Sequence, residues 1–270
     1  MKIKVYLPYF YEFGICILRH IRKINYIHST DKTYDHIIVC CRKGEECLYP
    51  LATDFFYDWS DVDDIHKGKG DISKLYSPKQ SKLHAYFFEK YKGHNIHIER
   101  CKLTEKNREL YAKSELNIGY YGNMYPNVDV LLGTRKRSIG VGKNFPHWQE
   151  VVDFFKSKGK TVGIIGKKET TFVPNNVDIV SHSIENTTQC IVGMMQNSKI
   201  IINTDSGLAH LCRLLRLKQV VISVKNRGGG PGQMPNFYDE EYTENLIEVS
   251  SKAFEKCDML INSIKGYYDV

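Results

Sequence analysis

Residues 203–210 read Asn203-Thr204-Asp205-Ser206-Gly207-Leu208-Ala209-His210, directly after Lys199-Ile200-Ile201-Ile202. The β-branched run predicts a buried strand, which gives out at a cluster of small polar residues. Residues 208–217 then carry helical spacing. A buried strand, a tight turn and a helix make one step of a parallel α/β sheet. Asp205 is suited to N-cap the helix, with Ser206 and Gly207 supplying free amides in its first turn. A cap alone accounts for these residues structurally. The same amides, added to the helix dipole, also make an anion site, and Gly207 has no side chain to block approach. His210 stands one turn along; a lone helical histidine is ordinarily packed or hydrogen-bonded.

Outward from this stretch the pattern repeats. Residues 128–132, 161–165, 177–180 and 220–224 read as strands. Helical spacing marks Trp148, Val151, Val152 and Phe155, then Ile191, Met194 and Met195, then residues 253–264. Alternating strands and helices with short joins predict a doubly wound parallel sheet. The first half follows a smaller version of the plan. Strands are expected at 2–7, 37–40 and 95–98, and helices at 12–24, 81–91 and 104–116, with an irregular acidic segment at 54–64. Residues 117–127, rich in Gly, Tyr, Asn and Pro, form the linker. The expected division is 1–122, 123–250 and a final helical segment 251–270, for which a return to the first domain is one option.

Composition narrows the class. The 270 residues suffice for one or two domains with full cores. No apolar run approaches the roughly 20 residues that span a bilayer. The opening residues read as a first strand and not as a signal peptide, so a cytoplasmic protein with at most peripheral membrane contact is expected. Eight cysteines show neither Cys-x-x-Cys pairs nor zinc-finger spacing, and Cys16, Cys40, Cys190 and Cys212 sit in apolar runs as buried reduced thiols. The net charge of +7 comes from scattered lysines. No basic face interleaved with aromatics is evident, so no nucleic-acid partner is expected.

Ligands of open parallel sheets bind beyond the carboxyl ends of the strands. Three turns there carry suitable chemistry. One is Gly133-Thr134-Arg135-Lys136-Arg137-Ser138, running into Gly140-Val141-Gly142-Lys143-Asn144-Phe145-Pro146. Its glycines permit close approach, and its hydroxyls and cations suit phosphate oxygens. The second is the opening stretch. The third is the glycine-rich segment 224–232. Taken alone, the first reads as well as a solvated basic loop, the second reads better as a cap, and the third has a flexible surface loop as its plain alternative. On one sheet edge together they predict a pocket for a multiply charged phosphate ligand.

The order of these motifs resembles that of the heptosyltransferases, ADP-heptose-using glycosyltransferases of lipopolysaccharide synthesis. Those enzymes have a strand ending in a Thr- or Ser-containing loop and then Lys-x-Trp-Pro; here Leu131-Leu132-Gly133-Thr134-Arg135 precedes Lys143-Asn144-Phe145-Pro146. They have a strand ending in Gly-Gly with a Glu shortly after; here it is Gly163-Ile164-Ile165-Gly166-Lys167-Lys168-Glu169. Their Asp-Ser/Thr-Gly-x-x-His corresponds to Asp205 through His210, followed by Gln219-Val220-Val221-Ile222. The match covers about residues 128–224.

The resemblance implies an α/β chain of GT-B fold, with two Rossmann-like doubly wound domains facing a cleft and the N-terminal domain reduced. It implies a sugar transferred from a nucleotide diphosphate sugar to a glycan or glycolipid acceptor, by inversion and without a metal or other cofactor. Thr134, Arg135 and Lys143 would contact the donor diphosphate, and Gly166 and Glu169 would approach the nucleoside. Asp205 would hold the donor sugar or its phosphate link, Ser206 and Gly207 would give amides to phosphate, and His210 would line the pocket. The family's catalytic Asp follows a Gly at the start of the first helix, whereas here Gly14 is followed by Ile15. Glu12 is the nearest carboxylate and the candidate base, with Asp54, Asp58 and Asp61 as alternatives. A nucleotide-sugar epimerase or hydrolase would share the donor pocket, and so would a non-catalytic nucleotide-sugar-binding protein.

Overall fold

The computed structural model describes residues 1–8, 20–57, 72–100, 118–136, 144–204, 206–222, 246–249 and 257–268. The chain divides into two compact units at Gly119 and Tyr120.

The first unit contains β1 (Lys2–Tyr6), α1 (Arg22–Thr30), β2 (His36–Cys40), β3 (Asp54–Phe56), α2 (Ile72–Lys90) and β4 (Asn95–Glu99). Its four strands are parallel, in the order β3-β2-β1-β4. Side chains alternate along a strand, and this sheet uses the alternation to separate two chemistries. Ile3, Val5 and Leu7 join Ile38, Cys40 and Phe87 of α2 in an apolar core, with Ile96 and Ile98 packed against it. Lys4, Tyr6, His97 and Glu99 alternate with those residues and face the other way, where Lys23 and His28 of α1 meet them. The Lys4 ammonium lies 2.6 Å from one Glu99 oxygen, and Lys23 pairs with the other.

Three elements of this unit depart from the sequence pattern, α2 among them because it begins at Ile72 and not at 81. Residues 54–56, expected to be irregular, form a strand because Phe56 packs on Phe87, 4.9 Å between ring centroids, while the backbone pairs with β2. Helix α1 runs to Thr30, past the expected end at 24. Its later buried positions are Asn25 and His28, so apolar periodicity stops before the helix does. Asn25 fits because its amide donates to the Ile21 and Leu48 carbonyls, at 2.9 and 3.2 Å.

The second unit contains β5 (Val128–Gly133), α3 (Trp148–Ser157), β6 (Val162–Ile164), β7 (Ile179–Val180), α4 (Ser181–Ile184), α5 (Thr188–Gln196), β8 (Ser198–Thr204), α6 (Gly207–Leu214), β9 (Gln219–Ile222), β10 (Leu246–Val249) and α7 (Cys257–Tyr268). Its six strands are parallel, in the order β10-β9-β8-β5-β6-β7. Counted from β5, this is the 3-2-1-4-5-6 arrangement of dinucleotide-binding sheets. Val130, Leu132, Ile200, Ile202, Val220 and Ile222 line one face, beneath Trp148, Val152 and Phe155 of α3 and Leu260 and Ile264 of α7. The opposite face carries α5 and α6. The C-terminal helix thus packs by its described buried side chains on α3 and the sheet of its own unit. Strand β10 was not legible in the sequence. Cys40, Cys41, Cys47, Cys190, Cys212 and Cys257 are buried free thiols, as expected for Cys40, Cys190 and Cys212, and Cys16 lies outside the described residues. Burial pushes the Cys190 thiol up to about 11 and Cys212 higher still, so neither offers a thiolate nucleophile.

Candidate functional site

Strand β5 pairs with β8 on one side and β6 on the other. The chain winds in opposite senses from that point, opening a crevice beyond the carboxyl ends of β5 and β8. Gly133 and Asn203 are register partners at those ends. Thr134, Arg135 and Lys136 therefore leave β5 beside the turn that leads from β8 into α6.

Helix α6 starts at Gly207. Ser206, and not Asp205, is its N-cap residue, with extended backbone at φ −153° and ψ 176°. The Ser206 side chain makes no cap bond; its Oγ is enclosed and has no partner among the described residues. The first turn opens with His210 N donating to Ser206 O at 3.3 Å. The amides of Gly207, Leu208 and Ala209 thus face the turn with no cap from the Ser206 side chain, and they carry the positive end of the helix dipole. Thr204 Oγ1 and Asn203 Oδ1, fully buried at the end of β8, likewise find no partner among the described residues. Polar groups enclosed without partners are few in folded proteins, and three successive described residues supply them here.

The loop after β6 is strapped across the loop after β5. Arg135 and Thr171 form an antiparallel bridge, and Lys136 N donates to Thr170 O at 2.8 Å. The Thr134 hydroxyl donates to Phe172 O, and the Lys136 ammonium lies 6.0 Å from the centre of the Phe172 ring. Gly166 turns the chain into this strap at φ +142°, a conformation that side chains rarely adopt. A Cβ there would also collide with Thr171 Oγ1, which donates to Lys167 O at 2.7 Å. Glu169 is exposed on the strap. Thr134 is buried with its proton engaged inside the protein, so in this conformation its hydroxyl fixes the strap.

Thr134, Arg135, Gly166 and Glu169 are thus brought together by β5, β6 and the strap. Ser206, Gly207 and His210 are set on the neighbouring turn and helix. Glu12, Lys143 and Asp205 lie outside the described residues, as do Asp58, Asp61 and the glycine-rich segment 224–232. Asp54 sits in β3, 3.9 Å from His36 Nε2. Among the described residues no cluster of three His, Cys, Asp or Glu side chains is arranged to hold a metal ion. Two residues of the site had no assigned role in the sequence, Asn203 and Gln219. Their signal was an amide side chain inside each of two apolar strands, Ser198–Thr204 and Gln219–Ile222.

No protein-family model and no curated protein matches the sequence. Solved structures match the fold over nearly its whole length. The E. coli ADP-heptose lipopolysaccharide heptosyltransferase II aligns at TM-score 0.58 and 10% identity, covering 99% of this chain and 98% of that one. It has the heptosyltransferase fold. E. coli heptosyltransferase WaaC, solved with ADP-2-deoxy-2-fluoro heptose, aligns at TM-score 0.54 and 10% identity over 98% of this chain and 99% of its own. A glycosyl transferase family 9 protein from Veillonella parvula aligns at 0.55 and 14% identity over 97% and 89%. The α/β architecture with two Rossmann-like parallel sheets is therefore that of the GT-B heptosyltransferases.

Proposed function

We propose that this chain is a glycosyltransferase that moves a sugar from a nucleotide diphosphate sugar to a glycan or glycolipid acceptor. The first turn of α6, whose amides the Ser206 side chain leaves uncapped, carries this reading. It lies at the switch point of a dinucleotide-type sheet, beside the strapped loop that bears Arg135 and Lys136. The acceptor hydroxyl oxygen attacks the anomeric carbon as the bond to the diphosphate oxygen breaks, inverting that centre. Charge on the leaving diphosphate is met by the α6 amides, Arg135 and Lys143, which replaces a metal ion. Asp205 holds the donor sugar, Glu169 meets the nucleoside, and His210 lines the pocket. Glu12 takes the acceptor proton as base. We place the enzyme in the cytoplasm, with at most peripheral membrane contact; no described helix is long and apolar enough to cross a membrane.

A thermal-shift panel of nucleoside diphosphates and nucleotide sugars tests the donor. Saturation at a hundredfold excess over Kd raises stability by about 2.7 kcal/mol. No stabilisation by any member refutes the donor reading. Asp205→Ala is expected to abolish transfer while keeping the melting temperature, and an active variant refutes that role. Ile15, standing where the resembling family has its catalytic Asp, favours one second reading, a nucleotide-sugar-binding protein without catalysis. Donor binding with neither transfer to an acceptor nor release of free sugar would establish it. Free sugar without any acceptor would mark a hydrolase.

A further inference from the structure

The interior beneath the first turn of α6 is not apolar. Asn203 and Gln219 are both fully buried, on neighbouring strands. Asn203 Nδ2 donates to Gln219 Oε1 at 2.9 Å, and Gln219 Nε2 donates to Ala209 O at 2.9 Å. The direction of this relay is fixed from one end. A carbonyl can only accept, so Gln219 must turn its NH2 toward Ala209 and its oxygen toward Asn203. Asn203 must then present its own NH2, which leaves Oδ1 aimed at Gly133. There Oδ1 has no N–H or O–H donor among the described residues. It lies so close to Gly133 that any Cβ at 133 would overlap it, and Leu208 Cδ1 would stand 3.3 Å from the same Cβ.

Four elements thereby meet at one point: β5 through Gly133, β8 through Asn203, β9 through Gln219 and α6 through Ala209. Two amide side chains desolvated in an apolar sheet cost free energy that similar-sized apolar residues would not. The hydrogen bond to Ala209 holds the third residue of α6, whose own amide belongs to that first turn. We infer that the Asn203–Gln219 relay, seated on Gly133, is a positioning element. It sets where the first-turn amides of α6 stand, and so governs affinity for the diphosphate of the donor and not for its nucleoside. The inference rests on the donor reading given above.

The test is binding to the full chain by titration calorimetry. The probes are whichever of ADP, GDP, UDP or CDP binds the wild type best, and its parent nucleoside. Gln219→Met removes both relay bonds but strands the Asn203 amide, so it is paired with the double variant Asn203→Leu/Gln219→Met. Replacing both partners of a buried hydrogen bond by apolar groups of similar shape is close to neutral for folding. The double variant therefore separates positioning from stability. It is expected to melt near the wild type and to lose about tenfold or more in diphosphate affinity, as a displaced binding group does. Its nucleoside affinity stays within about twofold. Unchanged diphosphate affinity, or an equal fall for diphosphate and nucleoside, overturns the inference and leaves the donor reading standing. A wild type that binds none of the four diphosphates overturns both.

Discussion

Gly133→Ala is the sharpest probe of the geometry at the switch point. Gly133 has no left-handed φ, so alanine is conformationally allowed there. The penalty must be steric. The new Cβ would fall closer to Asn203 Oδ1 than the 3.0 Å that real Cβ atoms respect, 3.0 Å from Asn203 Cγ and 3.3 Å from Leu208 Cδ1. Asn203 cannot swing away without breaking its bond to Gln219. Losing that bond strands a buried amide at about 1–3 kcal/mol. Residual crowding adds about 1–3 kcal/mol, and the stiffer unfolded chain returns about 0.4–1 kcal/mol. The expected net loss is about 1–5.5 kcal/mol. Urea-dependent hydrogen exchange on peptides from β5 and β8 reads it within the second unit. Gly163→Ala serves as the ranking control, because its Cβ meets only side-chain carbons at 3.1 and 3.2 Å. A Gly133→Ala chain within about 0.5 kcal/mol of the wild type, the range of ordinary surface changes, refutes the reasoning. So does a larger loss from Gly163→Ala.

Three further outcomes follow from the described side chains. Glu99→Gln deprives the buried ammonium groups of Lys4 and Lys23 of their carboxylate, at an expected cost of about 3–5 kcal/mol by exchange on β1 and β4 peptides. Burial raises the Glu99 pKa, but Lys23 and Lys4 outweigh it and hold the group below its ordinary value. The stability Glu99 contributes is thus present above the usual carboxylate range and lost as pH falls through the depressed value, and the Gln variant should lack that loss. Burial first, and then Lys4, lowers His28 to about 4. His28 is neutral when folded and protonated when unfolded below its ordinary value, so it drains stability as pH falls from about 6.5 toward 4. His28→Phe, whose ring can keep the edge contact with Tyr6, should flatten that slope, and an unchanged slope refutes the role. Thr134→Val should loosen the strap by about 1 kcal/mol, read as faster exchange at residues 167–172, while Thr134→Ser holds it.

The second unit was the more legible half because its signals agree with each other. Ile200, Ile201 and Ile202 are buried on both faces of a central strand, so they read as a continuous apolar run ending in a helix start. The first unit was harder, since its sheet buries charge on one face. Lys4, His97 and Glu99 look in sequence like solvated alternation. Lys4 is nevertheless almost completely buried and Glu99 mostly enclosed, because each neutralises a partner. Pattern reading counts apolar residues, so it also lost the second half of α1, where Asn25 and His28 take the core positions. The cap was misplaced by one residue, from Asp205 to Ser206. Cap preference ranks residue types, and both Asp and Ser satisfy it, so only backbone geometry decides between them. The strap could not be read at all. It depends on Gly166, Thr171 and Phe172 meeting Thr134, Arg135 and Lys136 through backbone bonds that leave no periodic trace.

The two units share a strand order near their first strands, and each places its buried polarity at the same topological point. In the first unit β1 is flanked by β2 and β4, and Tyr6 is the register partner of Glu99, which gathers Lys4 and Lys23. In the second unit β5 is flanked by β6 and β8, and Gly133 is the register partner of Asn203, which holds Gln219. Apolar side chains at these positions would stabilise either sheet more cheaply, because ion pairs and amides must be stripped of water to sit there. The two sites nevertheless differ in what they leave over. Lys4, Lys23 and Glu99 satisfy one another, so their removal is a matter of stability, although the buried ring nitrogens of His28 beside them also have no hydrogen-bond partner among the described residues. At the end of β8 the oxygens of Asn203, Thr204 and Ser206 are enclosed without partners among the described residues, beside three helix amides that the Ser206 side chain does not cap. Enclosed side-chain oxygens set beside the first turn of a helix, at the switch point of the sheet, are what separates the candidate site in the second unit from the ion-pair network in the first.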